Sequence, residues 1–175
     1  MKIRILNLLL VLTLGVFASC NNDDDSNQQI EELNFTGEIE SSSDFFVSKL
    51  LNSENLKTAL TINGSGRENL NLNSKYTTFS LPNNDINIEI SKWDIDVNGY
   101  FTNDSRIEIA NKLEFWNAIS GNVKILATNV EITQFQTYYQ ITLQLENIVF
   151  ENNNGEQKII TNLIIENAYV GWLPG

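Results

Sequence analysis

The side chains with the clearest chemical spacing are oxygen donors near the middle of the chain. Asp94, Asp96 and Asn98 match positions one, three and five of a calcium-binding loop, and a glycine follows where such loops bend. The bidentate glutamate expected at the last position is absent, and Asp104 is the candidate that completes the site. The alternative is that the first three residues form the solvent face of a strand whose hairpin turn begins at Asn98.

Aromatic side chains give a second candidate site. The candidates are Trp93, Trp116, Trp172, Tyr138 and Tyr139. On a surface such rings form a platform against which a sugar can stack, and in a core they supply apolar area. Trp93 alternates with Ile95 and Val97, which favours an inward position in a strand. Trp172 lies in the tail and is the ligand-stacking candidate.

The residue types that are missing restrict the chemistry. The chain has no histidine and a single cysteine, which excludes Ser-His-Asp triads, Cys-His pairs and histidine-ligated metals. It also has no glycine-rich phosphate loop. Acid–base catalysis would depend on carboxylates, lysine or tyrosine, and paired carboxylates can hydrolyse glycosides. No such pair can be assigned, so we expect no catalytic residues and no cofactor other than calcium.

The first twenty residues have the layout of a secretory signal. Lys2 and Arg4 give a positive start, residues 5–16 are mostly apolar, and small residues precede Cys20. The apolar stretch is shorter than the ~20 residues of a membrane-spanning helix. Cysteine directly after Ala-Ser resembles the bacterial lipobox, which implies cleavage after residue 19 and lipidation of Cys20. Ordinary secretory cleavage that leaves an unpaired cysteine is the alternative.

The segment after Cys20 predicts a tether. Residues 21–29 are polar and acidic and contain no apolar side chain, so they are expected to stay flexible. Acidic residues at this place resemble the surface-export signal of Bacteroidetes lipoproteins, which implies an outer-membrane protein exposed on the cell surface. The predicted organisation is a signal peptide (1–19), a lipidated cysteine with its tether (20–30) and one domain (31–175).

The charge restricts the partners. The chain carries 22 acidic and 11 basic residues. Removal of residues 1–19 takes away two basic residues and no acidic one, which leaves a net charge of −13. A charge of this sign disfavours nucleic acid. We expect contact with the membrane through the lipid anchor, and a glycan or another envelope protein as the partner.

Period-two alternation dominates residues 31–175 and predicts strands. It is seen at Phe35, Gly37 and Ile39; Leu60 and Ile62; Leu70 and Leu72; Ile86, Ile88 and Ile90; Trp93, Ile95 and Val97; Ile107 and Ile109; Val123, Ile125 and Ala127; and Tyr139, Ile141, Leu143 and Leu145. Residues 138–150 and 158–170 form a predicted hairpin around an Asn-Gly turn. The fold class is all-β, a single antiparallel sandwich or barrel of about 8–10 short strands.

Two segments have ambiguous patterns. Residues 44–52 and 111–120 each place apolar side chains near helical spacing, and runs of this length fit strands as well. We expect a strand for the first segment and a bent strand or a turn for the second.

The C-terminal half resembles a family of small flavobacterial surface lipoproteins of unknown function. The resemblance covers about residues 113–170 and rests on WNAISGNVKI (116–125), KIITN (158–162) and IENA (165–168). An aromatic residue and a Ser-Gly turn lead into an alternating strand in the first motif, and the others belong to the closing strand. The resemblance implies a compact antiparallel β fold and supplies no catalytic residue.

These observations together predict a lipid-anchored cell-envelope lipoprotein with a non-enzymatic binding or structural β domain. Two alternatives stay open. One is a β-barrel that carries a small apolar ligand, because eight-stranded barrels can hold one such molecule. The other is a carboxylate-dependent glycan hydrolase.

Overall fold

The fold is built almost entirely from β-strands. A computed structural model of the protein describes residues 30–42, 45–65, 70–102, 109–132 and 137–172. The strands are β1 (Glu31–Glu32), β2 (Ile39–Ser42), β3 (Phe46–Leu50), β4 (Thr58–Gly64), β5 (Thr77–Leu81), β6 (Ile86–Trp93), β7 (Lys112–Ile132), β8 (Thr137–Glu151) and β9 (Gln157–Trp172). None of these described ranges contains a helix long and apolar enough to cross a membrane.

All nine strands belong to one sheet. Its order is β1-β9-β8-β7-β6-β4-β3-β2, and β5 pairs with β7 beside that path. Every pair is antiparallel except β1 with β9. The predicted all-β class is confirmed as a single curled sheet that forms a half-barrel, and both ambiguous segments contribute strands, β3 and the start of β7.

The last three strands are longer than expected, with 21, 15 and 16 residues. β-Bulges interrupt their pairing, because the register shifts at three places between β7 and β8 and once between β8 and β9. Gly121 and Asn147 face each other at one of these places with φ of 117° and 51°. A bulge bends its strand and increases the local twist, so these long strands can curl around a core.

The two ends of the sheet path meet at β9. At one end of that strand β1 pairs with Lys158 and Ile159, and the Leu33 N–H donates to the Ile159 carbonyl at 2.8 Å. Towards the other end, the backbone N–H of Tyr169 donates to the Ser41 hydroxyl of β2 at 2.9 Å. The strands at the two ends of the path, β1 and β2, therefore both contact β9, and these contacts keep the sheet curled.

The main hydrophobic core lies on the inner face of the curl. Alternate residues of β4 and β6–β9 supply it, as period-two alternation requires. Side chains with at most 1% exposure include Val47, Leu60, Ile62, Ile88, Ile90, Val123, Ile125, Ile141, Leu143, Leu145 and Ile165. The predicted inward faces of these strands are confirmed, because most of these positions were identified from the alternation alone.

A second, smaller cluster lies on the opposite face. Residues 94–102 follow β6 as a loop and cover the outer side of β3 and β4. The fully buried Val97 of this loop packs with Leu50 and Ala59, and Trp93, Tyr100 and Phe101 pack around them. The prediction of a strand through Ile95 and Val97 is therefore wrong, since their alternation reflects a loop that folds back onto the sheet.

Other strand predictions also need correction. Phe35 and Gly37 lie outside any strand, because β2 begins only at Ile39. Leu70 is buried and Leu72 packs against the core, but neither lies in a strand. Ile109 is 81% exposed and also lies outside any strand, while Ile107 lies outside the described residues. Strand β5 was missed, because Phe79 and Leu81 are its only apolar residues.

Candidate functional site

The candidate site is a groove of about 270 Å³ on the outer face of β3, β4 and β6. Its aromatic wall combines Phe101 of the loop of residues 94–102 with Phe46 of β3 and Trp93 at the end of β6, and its floor is formed by polar side chains on the outer face of the strands. The lining residues are Phe46, Thr61, Asn63, Asn87, Glu89, Ser91, Trp93, Phe101 and Lys112. The groove therefore combines three aromatic rings with hydroxyl, amide and charged groups.

The polar floor follows from strand alternation. Core residues on β6 leave every other position free to point outwards, and Asn87, Glu89 and Ser91 occupy those positions. On β4, Thr61 lies directly opposite Glu89, and Asn63 lies directly opposite Asn87. Side chains directly opposite each other are close enough to act on one ligand.

The aromatic wall runs beside this floor. The Phe101 ring lies 5.5 Å from the Phe46 ring and 5.8 Å from the Trp93 ring, centroid to centroid. Tyr100 packs against both Phe101 and Trp93 at 5.5 and 6.0 Å. These separations and the tilted or edge-on orientations are the favourable ones for aromatic pairs, so the wall is a packed unit.

The charges in the groove are paired. The Lys112 ammonium donates to Glu89 Oε1, and the Ser91 hydroxyl donates to the same oxygen at 2.5 Å. The Glu89 side chain is 14% exposed, which strengthens the attraction relative to a fully solvated pair. Lys112 also lies 5.5 Å from the centroid of the Trp93 ring, within cation–π range. The ammonium thus links the floor to the wall.

Three hydrogen bonds hold the loop of residues 94–102 to two other parts of the chain. Glu40 of β2 accepts hydrogen bonds from the Gly99 N–H and, at 3.2 Å, from the Thr102 hydroxyl. The Val97 N–H donates to the Leu56 carbonyl at 2.8 Å. These bonds fix the loop to the edge strand and to the segment before β4.

The predicted calcium ligands lie in this loop and make local hydrogen bonds. Asp94 accepts from the backbone N–H and the side-chain amide of Asn111, both at 2.8 Å, and Asp96 accepts from the Asn98 N–H at 2.7 Å. Asp104 lies outside the described residues. Among the residues that the structure does describe, no group of three or more acidic, cysteine or histidine side chains could hold a metal ion.

The Asp94 carboxylate is stabilised by these bonds. The side-chain amide of Asn111, followed by its backbone N–H, lowers the pKa of Asp94 below its ordinary value, because donated hydrogen bonds favour the charged form. The carboxylate thus anchors the first residue of the loop to Asn111, directly before β7. Calcium binding stays a prediction, which unfolding midpoints in chelator and in millimolar calcium would test.

The structure separates the aromatic candidates. Trp93 lines the groove. Trp116 is 5% exposed and belongs to the main core, Tyr139 packs against that core, and Tyr138 is half-buried in β8. Trp172 is the last residue of β9, paired with Thr137, and its side chain lies outside the described residues. Cys20, the predicted lipidation site, also lies outside them.

Most of the groove was not found from the sequence. Asn87, Glu89 and Ser91 were recognisable only as the solvent side of an alternating strand. Lys112 and Phe101 carry no local signal, since the pairing of β7 with β6 and the return of the loop bring them to the groove. Comparisons with protein-family models, curated proteins and solved structures found no match.

Proposed function

We propose that this chain is a lipid-anchored lipoprotein of the outer cell envelope, exposed on the surface, whose β domain binds a ligand without chemical turnover. The proposal of a binding function rests on the groove, where an aromatic wall faces a floor of hydrogen-bonding side chains. A concave site with apolar walls and a few converging polar groups is the usual form of a ligand site. The anchoring half rests on the position of Cys20 after the apolar segment.

The charges of the groove favour binding over catalysis. Glu89 is the one carboxylate among the described residues that line it, and its charge is neutralised by Lys112. Both geometries of glycoside hydrolysis use two carboxylates. The described groove therefore offers contacts for recognition, and no pair of acids for a general acid and a nucleophile or base.

Fractionation of cells that express the full chain tests the anchoring. We expect the wild-type protein in the outer membrane and accessible to protease added to intact cells. The Cys20→Ala variant is expected in the soluble fraction, because two or more acyl chains are what give a stable anchor. Retention of Cys20→Ala in the membrane would contradict lipidation at this residue.

Binding is tested with the lipidated protein in detergent micelles, labelled with 5-fluorotryptophan. A soluble digest of cell-envelope material is expected to move the fluorine resonance of Trp93. The Asn87→Tyr variant places a bulky aromatic ring at an exposed position of the floor. Because this ring would fill part of the groove, the variant is expected to lose that response. A Trp93 resonance that moves equally in both proteins would place the ligand elsewhere.

A further inference from the structure

We propose that the groove takes one neutral sugar ring of a glycan. The inference rests on the proposed binding function and adds the chemical class of the ligand. It is carried by the match between the groove and the two surfaces of a pyranose, one formed by C–H groups and one by hydroxyl groups.

The aromatic wall suits the C–H surface of a sugar. Phe46, Phe101 and Trp93 form a continuous row of rings, with neighbouring centroids 5.5 and 5.8 Å apart. The faces of aromatic rings are electron-rich and attract the weakly positive C–H groups of a pyranose. All three side chains are half-buried, so they are held by the fold and keep some surface for a ligand.

The floor suits the hydroxyl groups. An amide presents an acceptor and two donors, and a hydroxyl presents a donor and an acceptor. Asn63 and Asn87 are exposed and lie directly opposite each other on β4 and β6. Sugar hydroxyls also donate and accept, so a pair of opposed amides can bind two neighbouring hydroxyls in either direction.

The charge of the groove selects a neutral sugar. Glu89 and Lys112 already neutralise each other across the floor. A uronate or a sulfated sugar would have to separate this pair or leave its own charge without a partner, which is costly in a partly buried site. The net charge of −13 that remains after removal of residues 1–19 also repels anionic glycans.

The size of the groove suits about one ring. The groove measures about 270 Å³ and is open to solvent on one side. Drug-sized ligands occupy sites of about 300–1,000 Å³. A single pyranose fits, and the rest of a longer glycan would extend into solvent.

The test uses the lipidated protein in detergent micelles with 5-fluorotryptophan at its three tryptophans. Trp93→Phe assigns the groove resonance, and the buried Trp116 reports whether each variant is folded. The probes are neutral hexasaccharides of glucose, mannose, xylose and N-acetylglucosamine, oligogalacturonate as the anionic glycan, and a set of short peptides. We expect a neutral hexasaccharide to move the Trp93 resonance and leave that of Trp116 in place.

Two variants of the floor test which side chains contact the sugar. Asn63→Ala and Asn87→Ala are each expected to weaken the neutral sugar about tenfold, the equivalent of ~1.4 kcal/mol for a hydrogen-bonding amide. Asn162→Ala removes an exposed amide on β9 and is expected to leave the affinity unchanged. Equal affinity in all four proteins would overturn the assignment of the floor.

The remaining outcomes separate this inference from the proposed function. If oligogalacturonate or a peptide moves the Trp93 resonance and no neutral sugar does, the sugar assignment is overturned while the binding function stands. If no probe and no envelope digest moves it, both are overturned.

Discussion

The sharpest test of the fold is the replacement of one glycine in the longest strand. Gly121 lies in a β-bulge of β7 with φ of 117°, a conformation that L residues rarely adopt. A Cβ added there would lie 2.6 Å from the Asn147 carbonyl oxygen and 2.7 Å from the Ile148 Cα. Both are backbone atoms of the neighbouring strand β8, so they cannot move aside without loss of ladder hydrogen bonds.

The expected cost of Gly121→Ala has two parts. A non-glycine residue in a sparsely populated backbone region costs about 1–3 kcal/mol, and an added methyl group in a packed site costs about 1–3 kcal/mol. We therefore expect a loss of about 4 kcal/mol in the free energy of unfolding. For a domain of this size that corresponds to a fall in Tm of about 8–16 °C.

Gly155→Ala is the matched control. Gly155 lies in the β8–β9 turn with φ of 80°, and an added Cβ would meet nothing within 4 Å. This variant has only the backbone strain, about 1–2 kcal/mol. Urea unfolding and calorimetry of both purified variants separate the two parts. Equal losses in Gly121→Ala and Gly155→Ala would refute the close approach of β7 and β8 at the bulge.

Three further predictions concern the core, the loop anchor and the loop clamp. Leu143→Ala, at a fully buried core position, should lower the free energy of unfolding in urea by about 2–5 kcal/mol, and a loss below 1 kcal/mol would contradict its burial. Asn111→Ala should raise the pKa of Asp94, observed by NMR titration of its carboxyl group. The pKa of Asp94 is lowered in the folded state, so its charged carboxylate stabilises the fold above the unfolded pKa of ~3.9. This stabilisation is lost as the pH falls through the folded pKa. The acid-induced loss of stability should be smaller in Asn111→Ala than in the wild type. Glu40→Ala removes both acceptor oxygens of the clamp and should accelerate hydrogen exchange of the Gly99 amide, and unchanged exchange would refute the clamp.

Strands that have a regularly paired strand on each side within the sheet could be predicted from the sequence. Ile86, Ile88 and Ile90 alternate without interruption, and the structure buries all three. Val97 shows the limit of the same signal. It is equally buried, but its partners are on the outer face, so alternation records burial and does not say which surface provides it.

The groove depends on contacts that no local pattern encodes. Glu89 and Lys112 meet because β6 and β7 pair across a long connection. Phe101 reaches Phe46 because a loop is clamped by Glu40 on a distant edge strand. Sequence reasoning identified Trp93 as an aromatic candidate, and it assigned that ring to an inward-facing strand.

If the chain is anchored at Cys20 as proposed, a mechanical load would enter the domain at the parallel pair of β1 and β9. In the proposed lipoprotein, drag on the domain pulls against Cys20 and reaches the fold at β1, whose two residues are held to β9 by Lys158 and Ile159. This pair is much shorter than those formed by β7, β8 and β9, so β1 would detach first under force. The release of β1 would lengthen the tether by a few residues while the other eight strands stay paired. Such a detachable first strand would act as a small mechanical buffer between the cell surface and the groove.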